Sequence, residues 1–153
     1  IVAQFTYLAK LDGTVTKDEQ QQIDEIARQA ALAKDPHLPL ETPANRLLGI
    51  TASYWLDINE YQPAEAAKHL QRQMLILQGG RDYQVTAAED LKGWQCALEG
   101  RNDVSFKLYP MLNHLFMAGT GPSSPAEYSQ ASHVDVQVIN DIAQWVAGCR
   151  LTN

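Results

Sequence analysis

The stretch Met74-Leu75-Ile76-Leu77-Gln78-Gly79 constrains this chain more than any other. It is short, continuously apolar and closed by Gly79-Gly80, the pattern of a strand covered on both faces in a parallel sheet. Further on, Val104-Ser105-Phe106-Lys107-Leu108-Tyr109 alternates apolar and polar residues, as a strand with one less buried face does. Between the two, Thr86 and Glu89 have capping-box spacing and open a helix with Leu91, Trp94, Ala97 and Leu98 on its inward face. Gly100 stops it. Strand, helix, strand predicts a parallel pair with a right-handed crossover. After a Gly/Ser/Pro loop from Gly119 to Pro125, Ser132 is placed to cap a last helix carrying Val138, Ile142, Trp145 and Val146. Residues 73–153 therefore read as a β-α-β-α lobe, and the fold class as α/β.

The preceding residues, 1–72, read as a mostly helical region. Ile1, Phe5 and Leu8 share a helical face that ends at the Asp12-Gly13 turn. Thr16 and Glu19 form another capping box, followed by Ile23, Ile26, Ala27 and Ala30 at helical spacing up to about Lys34. Three prolines between Asp35 and Pro43 force a loop, because each restricts the residue before it to extended geometry. Tyr54, Trp55 and Tyr61 cluster next, as core or as residues closing over a ligand. Pro63 suits the first turn of a helix through Ala64, Ala66, Ala67 and Leu70.

Composition excludes several classes. Twelve Lys plus Arg against eighteen Asp plus Glu leave a net charge of -6 and no basic face to neutralise a phosphate backbone, so no nucleic-acid partner is expected. No apolar run approaches the roughly 18 to 20 residues that span a bilayer, so a soluble chain without a membrane partner is expected. With 45% hydrophobic residues and seven prolines the chain is of the ordered, core-forming kind. Cys96 and Cys149 lack the spacing of a zinc site or a disulfide scaffold and are expected as unpaired, packed thiols. No cofactor and no metal is implied: there is no G-x-G-x-x-G after a strand, no P-loop and no H-E-x-x-H.

In parallel sheets ligand chemistry gathers beyond the carboxyl ends of the strands. Past the first strand stands Arg81-Asp82-Tyr83, and past the second Pro110-Met111-Leu112-Asn113-His114-Leu115-Phe116. An acid and an imidazole thus meet at one sheet edge, the arrangement in which an acid holds a histidine in its proton-accepting tautomer. The same residues also admit a purely structural account: Asp82 closes the turn, His114 packs in its loop, Arg81 forms a surface salt bridge, and Tyr83 and Phe116 pack the two loops.

The order of strand, Gly79-Gly80-Arg81-Asp82, capped helix, strand, and Pro110-Met111-Leu112-Asn113-His114-Leu115-Phe116 resembles the C-terminal half of an α/β-hydrolase, esterase or acyl-peptidase type. The resemblance runs from about Gln73 to Val146 and implies that Asp82 orients a catalytic His114. It further implies a small acyl or ester substrate, and that 1–72 is the helical cap such enzymes insert. A G-x-S-x-G nucleophile elbow is missing: Gly121-Pro122-Ser123-Ser124 fails the pattern, and Ser53 lacks both glycines. Because the family's order is nucleophile, acid, histidine, the serine is expected upstream of Ile1, and the chain alone is expected to be inactive. Ile1 is not a Met and no export-type segment follows it, so Ile1 reads as a cut boundary, and any export signal would precede it.

Severed from its neighbouring strand, the run Met74 to Gly79 would be an open apolar edge, and a two-fold homodimer is the expected closure. The competing reading is a non-catalytic α/β module that binds a ligand or another chain at the same edge.

Overall fold

In the computed structural model, which describes residues 1–149, Thr16 and Glu19 close both halves of a capping box. The Thr16 hydroxyl accepts from Glu19 N at 3.2 Å, and Thr16 N donates to the Glu19 carboxylate at 2.8 Å. This fixes the start of α2 (Lys17–Ala33), against which α1 (Val2–Ala9) and α3 (Ala52–Glu60) pack. The three helices belong to the first of two compact units, Ile1–Pro63; the second begins at Ala64.

The core of the first unit is Ala33, Leu38, Leu47 and Ala52, with Leu32, Trp55 and Leu56 packed on it. Polar groups lock the loop between α2 and α3. Gln29 Oε1 accepts from Leu48 N at 2.8 Å, Trp55 Nε1 donates to the Leu47 carbonyl at 2.9 Å, and Asn59 Nδ2 donates to the Ala33 carbonyl at 2.6 Å. Trp55 is therefore half in the core, whereas Tyr54 and Tyr61 are exposed. The aromatic cluster splits because α3 turns successive residues onto different faces.

The second unit holds all but the first residue of α4 (Pro63–Lys68), shorter than the sequence pattern, followed by β1 (Met74–Gly79), α5 (Lys92–Ala97), β2 (Val104–Tyr109) and α6 (Val136–Cys149). The strands run parallel, Met74 opposite Val104 through Gly79 opposite Tyr109, so the unit has α/β character on a small two-stranded sheet. The expectation that both faces of β1 are fully covered fails for Met74–Leu77, which are half-buried; only Gln78 and Gly79 are buried. Its only strand neighbour among the described residues is β2, and a two-stranded sheet has two open edges.

The Thr86 cap departs from a capping box. Thr86 Oγ1 accepts from Glu89 N at 3.2 Å as expected, but Thr86 N donates to Asp90 Oδ2 at 2.6 Å, not to Glu89. The first turn, Ala87–Leu91, is wound as a π-helix, with Leu91 N reaching back to the Thr86 carbonyl at 3.1 Å. This wider turn brings the side chain four residues on, not three, back over the cap. Leu91 and Leu98 are buried as expected, and Gly100 ends the helical segment at φ +81°. Ser132 does not cap α6. Asp135 does, accepting from Gln137 N at 2.8 Å while its own N donates to the Phe116 carbonyl at 2.9 Å. His133 accordingly lies in the segment before the helix and plays no part in its cap.

Residue Tyr109 reverses the alternation read from β2. Leu108 is exposed and Tyr109 buried, with Leu112 and Val138 of α6. Asp141 of α6 accepts from Tyr109 Oη at 2.8 Å and pairs with Lys107 Nζ at 2.5 Å. The Lys107 bond and the Tyr109 hydroxyl hold the Asp141 carboxyl below its usual range. Burial and then that carboxylate push the Tyr109 phenol up. Cys96 is exposed rather than packed, and Cys149 Sγ donates to Gln73 Oε1 at 2.7 Å. Among the described residues no helix is long and apolar enough to cross a membrane.

Gly79 and Gly80 are required by close approach. A Cβ on Gly79 would lie 2.5 Å from the Asn113 carbonyl oxygen, and one on Gly80 would lie 2.7 Å from Pro110 Cα. Both obstacles are backbone. Gly80→Ala is expected to cost about 1–3 kcal/mol through overpacking. Gly93→Ala in α5, where nothing stands within 4 Å, is expected to stabilise by about 0.5–1 kcal/mol. Urea unfolding checks both, and equal midpoints for the two variants would contradict the close approach.

Candidate active site

The two strands end in loops that are bonded to each other. Gly80 N donates to the Tyr109 carbonyl at 2.8 Å and Arg81 N to the Leu112 carbonyl at 2.9 Å, so the residues after β1 are held beside the residues after β2. The second loop doubles back through an isolated antiparallel bridge between Leu112 and Ala118. Asn113 shapes it: Asn113 Oδ1 accepts from Leu115 N at 3.0 Å and Met117 N at 3.1 Å, and Asn113 N donates to the Met117 carbonyl at 3.0 Å. Phe116 takes a left-handed backbone, φ 54°, to complete the turn and sets its ring edge-on to Tyr109 at 5.9 Å.

This framework brings Asp82 and His114 together. His114 Nδ1 lies 2.8 Å from Asp82 Oδ2. Asp82 Oδ1 accepts from Gln84 N at 2.8 Å and Val85 N at 3.0 Å, and Gln78 Nε2 approaches Oδ2 at 3.4 Å. Every other neighbour of the carboxyl donates, so Asp82 accepts and the imidazole hydrogen sits on Nδ1. The acid side chain is 5% exposed and the histidine 37%. Asp82 does close a turn, as its structural reading required, and contacts the histidine with its other oxygen. Geometrically the pair is a proton acceptor at Nε2 backed by a buried carboxylate.

Arg81 corrects the expectation of a surface salt bridge. Its side chain is 8% exposed and pairs with Glu127, which is 25% exposed. Arg81 Nε also donates to the Gly121 carbonyl at 2.9 Å. Nη1 is buried without a hydrogen-bond partner, and a Cβ on Gly119 would overlap the guanidinium. Tyr83 is buried, and Phe116 is half-buried against Tyr109, Leu112 and Val138. Ser123, in the Gly-Pro-Ser-Ser stretch, is 0% exposed and donates to Glu127 Oε2 at 2.9 Å. A side chain so enclosed is inaccessible to an ester.

Glu127 was not legible as a site residue. It stands in a short 3-10 helix, Pro125–Ser129, which begins where the loop read from the sequence ends and to which the pattern assigns no element. Burial pushes its carboxyl up, but hydrogen bonds from Asn113, Arg81 and Ser123, with the Arg81 charge, outweigh that and hold it below the usual range. Nothing in its spacing from Arg81 or Asn113 signals the contact. Among the described residues no group of three or more His, Cys, Asp or Glu is arranged to hold a metal ion.

No protein-family model matches the chain, and no solved structure matches it. Among curated proteins it is 44% identical over 104 residues to Esterase EstD of Thermotoga maritima. The aligned stretch takes in 68% of this chain and 25% of that protein, so the chain spans about a quarter of its relative's length. Over most of its length, then, the chain is related to a protein named as an esterase.

Proposed function

We propose that this chain is the C-terminal portion of an α/β-hydrolase-fold serine hydrolase that cleaves carboxylic esters, with Asp82 and His114 as two members of its triad. The observation that carries the reading is the 2.8 Å contact between His114 Nδ1 and a buried Asp82 at the ends of two parallel strands. Kinship with a protein named as an esterase supports the substrate class. The residues 1–72 would act as the cap in this reading.

In the mechanism, Asp82 keeps the Nδ1–H tautomer, so the Nε2 lone pair faces the reacting centre. A serine from the rest of the protein loses its proton to Nε2 as its oxygen attacks the ester carbonyl. The imidazolium returns that proton to the departing alcohol, leaving an acyl-serine. Water then repeats the cycle: Nε2 takes its proton, the hydroxide oxygen bonds to the acyl carbon, and the serine oxygen leaves with the proton. No cofactor takes part in these steps.

The test is hydrolysis of p-nitrophenyl acetate by the full-length protein that carries this chain, wild type against His114→Ala. Equal rates would sink the catalytic reading and favour a binding module.

The reading also has a consequence for the chain on its own. The outer edge of β1 would normally pair with a strand on the nucleophile side, and Met74–Leu77 are only half-buried. The isolated chain is expected to close that edge by two-fold pairing with a second copy. Light scattering at micromolar concentration should give twice the 17.0 kDa chain mass; a monomer mass contradicts the dimer.

A further inference from the structure

One carboxylate holds both loops of the candidate site. Glu127 Oε1 pairs with Arg81, the residue next to Asp82. Glu127 Oε2 accepts from Asn113 Nδ2 at 2.9 Å, and Asn113 is the residue next to His114. The same oxygen accepts from Ser123 Oγ at 2.9 Å. Asn113 in turn uses its other side-chain atom, Oδ1, to form the turn that carries His114. Neighbouring Tyr128 extends the contact to the acid loop, its hydroxyl lying 3.2 Å from Gln84 Nε2, and Gln84 N is one of the two backbone donors on Asp82. The contacts from Arg81, Asn113, Ser123 and Gln84 converge on one turn of chain, Pro125–Ser129.

From this we infer that Glu127 is a positioning residue, a clamp that sets the distance between Asp82 and His114 by holding Arg81 and Asn113 with one carboxylate. The inference rests on the proposed function, since a clamp on a pair that does no chemistry has no rate to affect. Glu127 touches neither member of the pair, so its action is through Arg81 and Asn113. The ionic arm is the demanding one. Arg81 is buried, its Nη1 has no acceptor, and Glu127 is the counter-charge it is paired with.

Glu127→Gln tests the clamp with little change of shape. Its amide oxygen can still accept from Asn113 and Ser123, while its NH2 faces the Arg81 donors and repels them. In the full-length protein that carries this chain, with p-nitrophenyl acetate, kcat is expected to fall by about 10- to 100-fold with KM unchanged, the size of loss that about 1 Å of misplacement brings. Arg101→Gln is the control: it breaks the 2.5 Å Arg101–Asp103 pair in the same unit, away from these loops, and should leave kcat at the wild-type value.

The independent readout is the proton NMR signal of His114 Nδ1–H, expected to be visible in wild type and broadened by exchange in Glu127→Gln. A sharp signal together with wild-type kcat in Glu127→Gln overturns the clamp. If Glu127→Gln does not fold, Glu127→Asp decides, since it keeps the charge but shortens the reach to Arg81 and Asn113 by one methylene: a several-fold drop in kcat at constant KM supports the clamp, and wild-type kcat overturns it. His114→Ala in parallel separates the two claims. Activity surviving in His114→Ala defeats the proposed function itself, whereas activity lost there but kept in Glu127→Gln defeats only the clamp.

Discussion

His114→Ala is expected to lower kcat for ester hydrolysis by about a millionfold in the full-length protein, the loss seen when a triad histidine is removed from subtilisin. The geometry explains why so much hangs on one ring. His114 follows β2, its side chain more than one-third exposed and its Nδ1 2.8 Å from a carboxylate that is 5% exposed. On the proposed mechanism, without it the serine would have to give its proton to water, and the alcohol would have to depart as an alkoxide. KM should move little, because the imidazole binds the proton in flight and not the resting ester. The same variant separates catalysis from scaffolding. Among the described residues the ring's hydrogen bond is to Asp82, and its side chain is more than one-third exposed. Its loss also takes one donor from a buried carboxylate, so stability should fall by about 1–3 kcal/mol. Circular dichroism and urea unfolding check the fold, p-nitrophenyl acetate turnover the rate. Full activity in a folded variant would return His114 to the role of a loop residue.

The pairing of Asp82 with His114 could be read from the sequence because it follows from order alone. An apolar run ending in two glycines and an alternating run separated by a helix make parallel neighbours, and parallel neighbours end at the same edge. Both strands have the bounds the sequence indicates, Met74–Gly79 and Val104–Tyr109. What lay beyond reach is of a different kind. The Arg81–Glu127 pair joins residues 46 apart through a turn of 3-10 helix with no periodicity to mark it. Ser132 and Asp135 are both good caps, and the choice between them was made by the Asp135 N bond to the Phe116 carbonyl, a tertiary contact. Spacing at Thr86 matched a capping box, but the π-wound turn handed half of it to Asp90. Helix α3 shows in the sequence only as an aromatic cluster, because its apolar residues form no clean stripe before they meet the Leu47 core. Local pattern thus supplied the strands and the meeting of acid and histidine, while long-range polar contacts supplied what holds the two loops in place.

Asp82→Asn should produce the second large effect, and it is the sharper test because it leaves the loop intact. Asparagine keeps an oxygen at the Oδ1 position, so it still accepts from Gln84 N and Val85 N, now at 2.8 and 3.0 Å. The turn that a merely structural aspartate would close is preserved. Its other arm becomes an NH2 group that points at His114 Nδ1, where a carboxylate oxygen stood at 2.8 Å. A donor there demands an acceptor, so the imidazole must move its hydrogen from Nδ1 to Nε2. On the proposed mechanism, Nε2 then has no lone pair for the serine proton. The expected outcome is a fall in kcat of about ten-thousandfold, as for the same change in the serine-protease triad, with the urea midpoint nearly unchanged. The amide also meets Gln78 Nε2, 3.4 Å from Oδ2 in the native site, as a donor facing a donor. Any loss of stability should therefore be small and local to β1. Nitrogen NMR reports the tautomer directly: the hydrogen-bearing nitrogen should be Nδ1 in wild type and Nε2 in Asp82→Asn. A variant that switches tautomer and keeps its rate would separate the imidazole from the chemistry. One that loses rate without switching would move the cause elsewhere in the loop.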